Sequence, residues 1–185
     1  MKAIFIGLLF APALMAQDAS SQQQPPQGDG PSLEDTMKFI QDKLPGRVNY
    51  VVYVHDNLVG TDWALKRSFE LTNVYADANR CFIGFHLRFD NGKNSVVDKG
   101  SEVYLKQAQE IVLKLMDQVL QEVDAKSGHP ERSVKIDPPI FSVVVKTQGN
   151  HSMNFNFYDE AMSERVSRAL QHAVDLCGGG RTEPF

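Results

Sequence analysis

Two stretches of the chain carry apolar residues at the three- and four-residue spacing of an amphipathic helix. The first covers residues 32–44, begins with a Ser32 cap followed by Asp35, and ends at Pro45 and Gly46. Its apolar face consists of Leu33, Met37, Ile40 and Leu44. The second begins at an Asp159 cap, ends at the glycines of residues 178–180, and has this apolar stripe: Met162, Val166, Ala169, Leu170, Ala173, Val174 and Cys177. The pattern predicts a helix near each end of the domain.

Between these helices the pattern changes to the alternation that is typical of strands. Three segments rich in β-branched and aromatic residues show it: residues 48–55, 63–75 and 81–89. The last of them has an apolar face and a polar face that holds Gly84, His86 and Arg88. Asp90, Asn91 and Gly92 follow as a hairpin signal, because Asn and Gly tolerate positive φ. Residues 140–147 and 152–158 predict a second hairpin around residues 148–150.

Residues 101–124 fit two structures. A helical face would contain Val112, Leu115, Met116, Val119, Leu120 and Val123, whereas one side of a strand would contain Ile111, Leu113, Leu115, Val119 and Val123. The abundance of Gln, Glu, Lys and Leu favours the helix. Residues 127–139, which end in Pro138 and Pro139, are predicted to form a loop.

The order of these elements predicts a single α+β domain over residues 32–180, followed by a short tail at residues 181–185. Strands joined by tight turns form an antiparallel meander, which we expect to close into a partly open barrel or sandwich. The apolar stripe of the C-terminal helix must be buried, so this amphipathic helix is expected to cap the sheet. The short N-terminal helix precedes the meander.

The segment before the domain is typical of an exported protein. Lys2 precedes an apolar run over residues 4–10, and small residues follow at Ala13 and Ala16. The run is shorter than the roughly 20 residues that a membrane-spanning helix needs. Residues 1–16 are therefore predicted to be a signal peptide, cleaved after Ala16 or, as an alternative, after Ala13. Residues 17–31 are polar and interrupted by Pro and Gly, which predicts a disordered linker.

Charge excludes some classes of partner. The chain of 185 residues has a net charge of −4, and 42% of its residues are hydrophobic. Loss of residues 1–16 removes Lys2 and would leave about −5, which gives no attraction to nucleic acid. Six basic or aromatic residues could form an anion-binding cluster or be scattered solvated side chains, and the net charge favours the second interpretation: Trp63, Lys66, Arg67, Arg80, Arg88 and Lys93.

The chain has two cysteines, Cys81 and Cys177, separated by 96 positions. In an oxidising compartment such a pair is a disulfide candidate. Both residues are placed on faces that would point inward between the last helix and the sheet. The alternative is a pair of separate buried thiols that pack as small apolar residues.

No pattern of catalytic, cofactor-binding or metal-ligating residues is present in the sequence. The five histidines lie at His55, His86, His129, His151 and His172, and none has the short spacing of a metal motif. No nucleophile elbow occurs, and Cys81 lies in an apolar segment that suits an inert thiol. We therefore predict no cofactor, no metal and no catalytic residues. Asn150, His151 and Ser152 match a glycosylation sequon, which has meaning only in a eukaryotic secretory setting.

Two resemblances follow from particular segments. From Trp63 to Cys177, and mostly in MNFNFYDEAMSERVSRALQHAVDLC, the order of elements resembles pleckstrin-homology-like (PH-like) domains, in which a C-terminal helix closes a bent antiparallel barrel. The strings PSLEDTMKFIQDKL, NYVVYVHDN and HAVDLCGGG are similar to those of an uncharacterised family of exported bacterial proteins. The first resemblance implies a fold and no ligand. The second implies export and no activity.

Together these observations predict a periplasmic or extracellular protein that is not an enzyme. Its expected role is a binding or protein-interaction module of the cell envelope, with sheet edges as contact surfaces. Its partner would be an envelope protein, with no nucleic acid and no transmembrane segment in the mature chain. The alternative is a carrier of a small apolar ligand, and a hydrolase whose site only the fold assembles is the third hypothesis.

Overall fold

The structure is a computed structural model that describes residues 30–90 and 96–180. These ranges form three α-helices and eight β-strands. In chain order they are α1 (Leu33–Lys43), β1 (Gly46–Asp56), β2 (Thr61–Asp77), β3 (Phe82–Asp90), β4 (Val96–Tyr104), β5 (Ala108–Leu115), α2 (Met116–Lys126), β6 (Arg132–Asp137), β7 (Phe141–Thr147), β8 (His151–Phe157) and α3 (Glu160–Leu176). Short 3₁₀ turns at Leu105–Gln107 and Gln148–Asn150 connect β4 to β5 and β7 to β8. The α+β class predicted from the sequence is confirmed.

The strands form two antiparallel sheets. Five strands lie in the order β4-β3-β2-β1-β6, and three lie in the order β5-β7-β8. The predicted meander is the run from β1 to β4, and β6 returns to pair with the other side of β1. Neither edge strand of the larger sheet pairs with the smaller sheet, so the described strands do not close into a barrel.

One hydrophobic core joins both sheets to α1 and α3. Alternate residues of β1 point into it, from Val48 to Val54. Phe155 of β8 is fully buried and meets the ring of Phe85 in β3 edge-on, with centroids 5.6 Å apart. Val166, Leu170 and Ala173 of the predicted α3 stripe are also fully buried. Side chains therefore fill the space between the two sheets.

Side chains at the predicted positions begin both terminal helices. The Ser32 hydroxyl oxygen accepts the Asp35 backbone N–H at 3.1 Å, and an Asp159 carboxylate oxygen accepts that of Met162 at 2.6 Å. These bonds satisfy N–H groups that have no partner within a helix. Gly178 follows α3 with a φ of 76°, which glycine adopts without a steric penalty. Both helix predictions are confirmed.

Only the second half of residues 101–124 is helical, so the helical interpretation is wrong for the first half. Residues 101–104 belong to β4 and residues 108–115 are β5, whereas α2 begins at Met116. Ile111 and Leu113 pack against the core and lie opposite Val145 and Val143 of β7. Pairing with β7 and burial of this face outweigh the helix propensity of the neighbouring Gln, Glu and Lys residues.

The predicted loop over residues 127–139 is also wrong, because it contains β6. Ile136 is buried opposite Val52 of β1, and Val134 packs against the same core opposite Val54. These two residues provide the whole apolar face of a six-residue strand. Such a short strand forms because β1 supplies its backbone partners, which its own sequence does not reveal.

Cys81 and Cys177 meet where α3 ends. Cys81 lies in the turn before β3 and Cys177 directly follows α3, and both are buried. Their Cα atoms are 5.8 Å apart, and their sulfur atoms are at disulfide-bonding distance. The structure therefore places together the pair that the sequence singled out. The oxidation state of the pair stays a prediction.

The segment after α3 packs tightly against the connection between β4 and β5. The Gly179 backbone N–H donates to the Val174 carbonyl oxygen at 2.9 Å, and that of Gly180 donates to the Ala108 carbonyl oxygen at 2.8 Å. A Cβ atom added at Gly179 would lie 2.3 Å from the Leu105 carbonyl oxygen. This backbone approach leaves no room for any side chain except that of glycine.

Several sequence predictions concern residues outside the described ranges. They are the signal peptide at residues 1–16, the linker up to residue 29, the turn residues Asn91 and Gly92, the basic Lys93 and the tail at residues 181–185. These stay predictions. Among the described helices, none is long and apolar enough to cross a membrane.

Candidate functional site

One edge of the five-stranded sheet is covered by a side chain of α2. The Gln121 amide oxygen accepts the Val134 backbone N–H at 3.0 Å, and the Gln121 amide nitrogen donates to the Arg132 carbonyl oxygen. The amide thus pairs with the outer edge of β6 as a neighbouring strand would. An exposed strand edge is a template for pairing with another chain, and Gln121 blocks this one.

The opposite edge of the same sheet is β4, which is nine residues long. Among the described strands it pairs with β3 alone, so its outer edge is open with respect to them. Over residues 99–104, no backbone hydrogen bond to any described residue other than those of β3 is present. Because alternate N–H and C=O groups of an edge strand point away from the sheet, these groups are available to an incoming strand.

Aromatic side chains lie beside this open edge on the outer face of the sheet. The Phe82 ring is stacked on Tyr104 at 5.9 Å and meets Tyr75 edge-on at 5.8 Å. The Arg80 guanidinium lies 4.5 Å from the centre of the Phe82 ring, within cation–π range. Phe82 is buried, but Tyr75 and Tyr104 are 54% and 38% exposed. We call residues 99–104, together with Tyr75, Arg80 and Phe82, the β4 surface.

The backbone of β2 and β3 makes room for this aromatic cluster. Gly84 lies opposite Tyr75, and a Cβ atom there would be 3.3 Å from the Phe82 ring. The pairing of β2 with β3 shifts between Thr72 and Tyr75, where Asn73 has a φ of 51°. This bulge opens a groove of about 570 Å³ across the outer face, with Gly84 and Gly100 among its lining residues. A side chain from a strand added to β4 could enter it.

Carboxylates hold the two exposed tyrosine hydroxyls of the β4 surface. The Tyr104 hydroxyl donates to Glu102 at 2.6 Å, and the Tyr75 hydroxyl donates to Asp77 at 3.4 Å. The hydrogen bond that the Tyr104 hydroxyl donates to Glu102, together with the negative charge of that carboxylate, raises the pKa of the Tyr104 phenol. The phenol therefore stays protonated, and its ring is fixed in orientation while one face remains open to a partner.

The predicted anion-binding residues that the structure describes, all within residues 63–88, do not form one cluster. The Arg67 guanidinium lies 5.6 Å from the centre of the Phe89 ring, and its buried Nε atom has no hydrogen-bond partner within residues 30–90 and 96–180. Trp63 lies at the other end of the sheet, with the Arg132 guanidinium 5.4 Å from its ring. Only Arg80 is part of the β4 surface. The described residues thus favour the interpretation as scattered charges, and the aromatic cluster on the sheet was missed because Tyr75 and Tyr104 are 29 positions apart.

The histidines are dispersed as well. His129 Nδ1 lies 3.2 Å from a Glu131 carboxylate oxygen, and His172 Nε2 lies 2.9 Å from the Pro31 carbonyl oxygen. No group of three His, Cys, Asp or Glu side chains within the described part of the chain is placed to hold a metal ion.

A row of three polar residues crosses β2, β1 and β6 at the far end of the same sheet. Asp62 lies opposite His55, which lies opposite Ser133, and His55 Nδ1 is 2.7 Å from Asp62 Oδ1. The row borders a groove of about 470 Å³. The Ser133 hydroxyl makes no hydrogen bond to His55 within the described residues, and the His55 and Asp62 side chains are 45% and 80% exposed. The order acid, base and hydroxyl is that of a hydrolytic triad, without its buried acid.

Sequence reasoning missed this row because β6 was predicted to be a loop, and only the strand register aligns the three residues. No family model, no curated protein and no solved structure matches the chain.

Proposed function

We propose that this protein is an exported, non-enzymatic interaction module of the cell envelope, and that it binds an extended peptide segment along the β4 surface. One observation carries the proposal. The two edges of the five-stranded sheet differ: Gln121 covers β6, whereas β4 is open beside exposed aromatic side chains.

Binding by strand addition uses backbone hydrogen bonds for affinity and alternate side chains for specificity. On the outer face, the peptide's side chains would lie beside Tyr104 and reach the groove at Gly84 and Gly100. On the other face, they would lie beside Lys99, which pairs with the inward-facing Leu87. An ammonium group at this position disfavours uncontrolled apolar pairing and attracts an acidic side chain. We therefore propose that the bound peptide has aromatic or aliphatic residues at alternate positions and at least one acidic residue between them.

Peptides selected from a random displayed library against the exported protein test this proposal. Isothermal titration would compare wild type with Tyr104→Ala and Tyr75→Ala. Each substitution removes an aromatic contact and should weaken binding about tenfold, because tyrosines at interface centres carry much of the binding energy. Tyr53→Ala is the matched control, since Tyr53 is 44% exposed on the same face of the same sheet, beyond the β4 surface.

Equal weakening by Tyr53→Ala, or binding that neither Tyr104→Ala nor Tyr75→Ala changes, would show that the β4 surface is not the site. Circular dichroism of each variant separates lost contacts from lost folding. A library that yields no binder above background would count against strand addition altogether.

Export is a separate part of the proposal, supported by residues 1–16 and by the position of the two cysteines. The protein recovered from the envelope should begin at Gln17, or at Leu14 if cleavage follows Ala13. Intact-mass spectrometry of fractionated cells distinguishes these two products. A protein that is retained in the cytoplasm with Met1 to Ala16 attached would contradict export.

We also propose that the fold is a variant of the PH-like architecture. Its support is the order of elements: a four-stranded meander, further strands in a second sheet and one long C-terminal helix. Two insertions separate it from that architecture, namely α2 and the extra edge strand β6. An experimental structure tests the relationship by whether both sheets superpose on such a domain when α2 and β6 are left out.

A hydrolase is a second candidate, and the Asp62–His55–Ser133 row is the observation that favours it. The test is slow hydrolysis of p-nitrophenyl acetate. Hydrolysis that is lost in Ser133→Ala but kept in the control Ser68→Ala would support a hydrolase. Hydrolysis that is equal in both variants would reject it. An interior carrier of apolar ligands has no comparable support among the described residues, because side chains fill the core.

A further inference from the structure

A second groove lies on the far side of the molecule's smaller sheet, away from the β4 surface. It runs between α2 and the face of β5, β7 and β8 that points away from the core, and its volume is about 540 Å³. This volume is within the range of about 300 to 1,000 Å³ that small-molecule sites occupy.

Valine side chains form the apolar part of this groove, which we call the α2 groove. Val144 of β7 is buried beneath it, and Val119 and Val123 of α2 line its wall. Val123 is 51% exposed, so part of its side chain is open to the groove. The valines together offer a surface that an acyl chain or another apolar group would cover.

Lysines surround the apolar part. Lys114 pairs with Glu122 across the groove, and Lys146 pairs with Glu110 at 2.7 Å. Lys126 also lines the groove and makes no direct ion pair within the described residues, although its charge acts on Glu122. The groove therefore carries a surplus of positive charge in a protein whose net charge is −4, and this surplus favours an anionic ligand.

A buried acceptor adds a second requirement. Asn154 lines the groove, and its Oδ1 atom is buried without a hydrogen-bond partner in the part of the chain that the structure describes. A buried polar atom without a partner is costly, and such atoms are rare in folded proteins. A ligand that brings an N–H group to Asn154 would remove this cost. The groove therefore suits a ligand that combines an anionic group, an N–H donor and an apolar chain in one molecule.

We propose that the α2 groove binds N-acylated amino acids. The carboxylate would lie between Lys126 and Lys146, and the acyl chain would cover Val119 and Val123. The amide N–H would donate to Asn154 Oδ1 once the Asn154 side chain turns this buried atom toward the groove. This site does not depend on the β4 surface, and either one can fail without the other.

Titration of the ¹⁵N-labelled protein with three probes tests each requirement. N-octanoylglycine has all three features, its methyl ester lacks the charge, and octanoate lacks the N–H group. Backbone shifts should map to Val119, Val123, Lys126 and Asn154, and N-octanoylglycine should bind most tightly. Loss of the charge should weaken binding about two- to fivefold, and loss of the N–H about three- to tenfold.

Variants locate the two polar contacts. Lys126→Ala should weaken N-octanoylglycine binding about two- to fivefold and leave its methyl ester unaffected, whereas the exposed Lys38→Ala on α1 is the matched control that changes neither. Asn154→Ala should reduce the affinity for N-octanoylglycine to that for octanoate. Lys126 is exposed, so its variant keeps the fold even if Asn154→Ala does not.

Three results would overturn the proposal. The first is a saturable shift map centred on the β4 surface or on the groove beside His55. The second is equal affinity for the acid and its methyl ester. The third is the absence of saturable shifts with any probe below its micelle concentration, which shows that the groove takes none of these ligands.

Discussion

Replacing both Cys81 and Cys177 with alanine would remove the covalent link that we propose between the end of α3 and the turn before β3. The two residues are 96 positions apart, so the link closes a long loop. In the chain-entropy treatment, a loop of this length stabilises the folded state by about 4.7 kcal/mol at 25 °C. Small domains have free energies of unfolding of about 5 to 15 kcal/mol, so the loss would be a large part of the total.

Urea unfolding followed by Trp63 fluorescence measures the effect. With a slope of about 2 kcal/mol per molar urea, the midpoint should fall by about 2 M in the double alanine variant. Wild type with reductant should show a similar fall, and the variant should not respond to reductant. Two results together would refute the reasoning. The urea midpoint of wild type would be the same with and without reductant, and the unreduced, denatured protein would contain two free thiols.

Three further substitutions test the packing of the segment after α3, the ionised carboxylate of Asp56 and the cover of Gln121 over the β6 edge. Gly179→Ala should lower the free energy of unfolding by about 1 to 3 kcal/mol in a urea titration, because its Cβ atom would collide with backbone, whereas Gly46→Ala has open space and should change it little. Partial desolvation raises the pKa of Asp56, but hydrogen bonds from the backbone N–H groups of the following turn and from a guanidinium outweigh it and hold the pKa below its usual value. Urea titrations at several pH values should therefore show the full difference in unfolding free energy between wild type and Asp56→Asn above about pH 4. This difference should decrease as the pH falls below that value. Gln121→Ala loses two hydrogen bonds to β6 and should lower the free energy of unfolding by about 1 to 3 kcal/mol. It should also speed amide hydrogen exchange in residues 132–134, whereas the exposed control Gln171→Ala should leave that exchange unchanged.

Contrary outcomes are distinct for each substitution. Equal stability of the two glycine variants would mean that the segment after α3 does not press against the β4–β5 connection. A constant difference between wild type and Asp56→Asn from pH 6 to pH 3 would contradict the lowered pKa. Unchanged exchange in Gln121→Ala would mean that the amide does not protect the β6 edge.

The sequence predicts the elements whose signals are local. Both terminal helices have caps and an apolar stripe within one segment, and the hairpin around Gly149 has its own turn residue, with a φ of 79°. The pairing of Cys81 with Cys177 could be suggested because no third cysteine competes. These features depend on few distant residues.

Features that depend on the tertiary arrangement could not be predicted. β6 has only Val134 and Ile136 as apolar residues, and it becomes a strand because β1 lies beside it. Apolar residues recur from Ile111 to Val123 with no turn signal between them. The structure divides this segment into β5 and α2 at Met116, whose backbone N–H donates to the Ile140 carbonyl oxygen. The covered and open edges of the sheet depend on Gln121, which looks like any other surface glutamine in the sequence.

Hydrogen–deuterium exchange of the protein with and without a library-selected peptide tests strand addition at β4 most directly. The account predicts that alternate amides within residues 99–104 gain protection when peptide binds, while residues 132–134 of the covered edge do not change. Protection that appears on β6 or β8 instead, or peptide binding without any gain on β4, would contradict it.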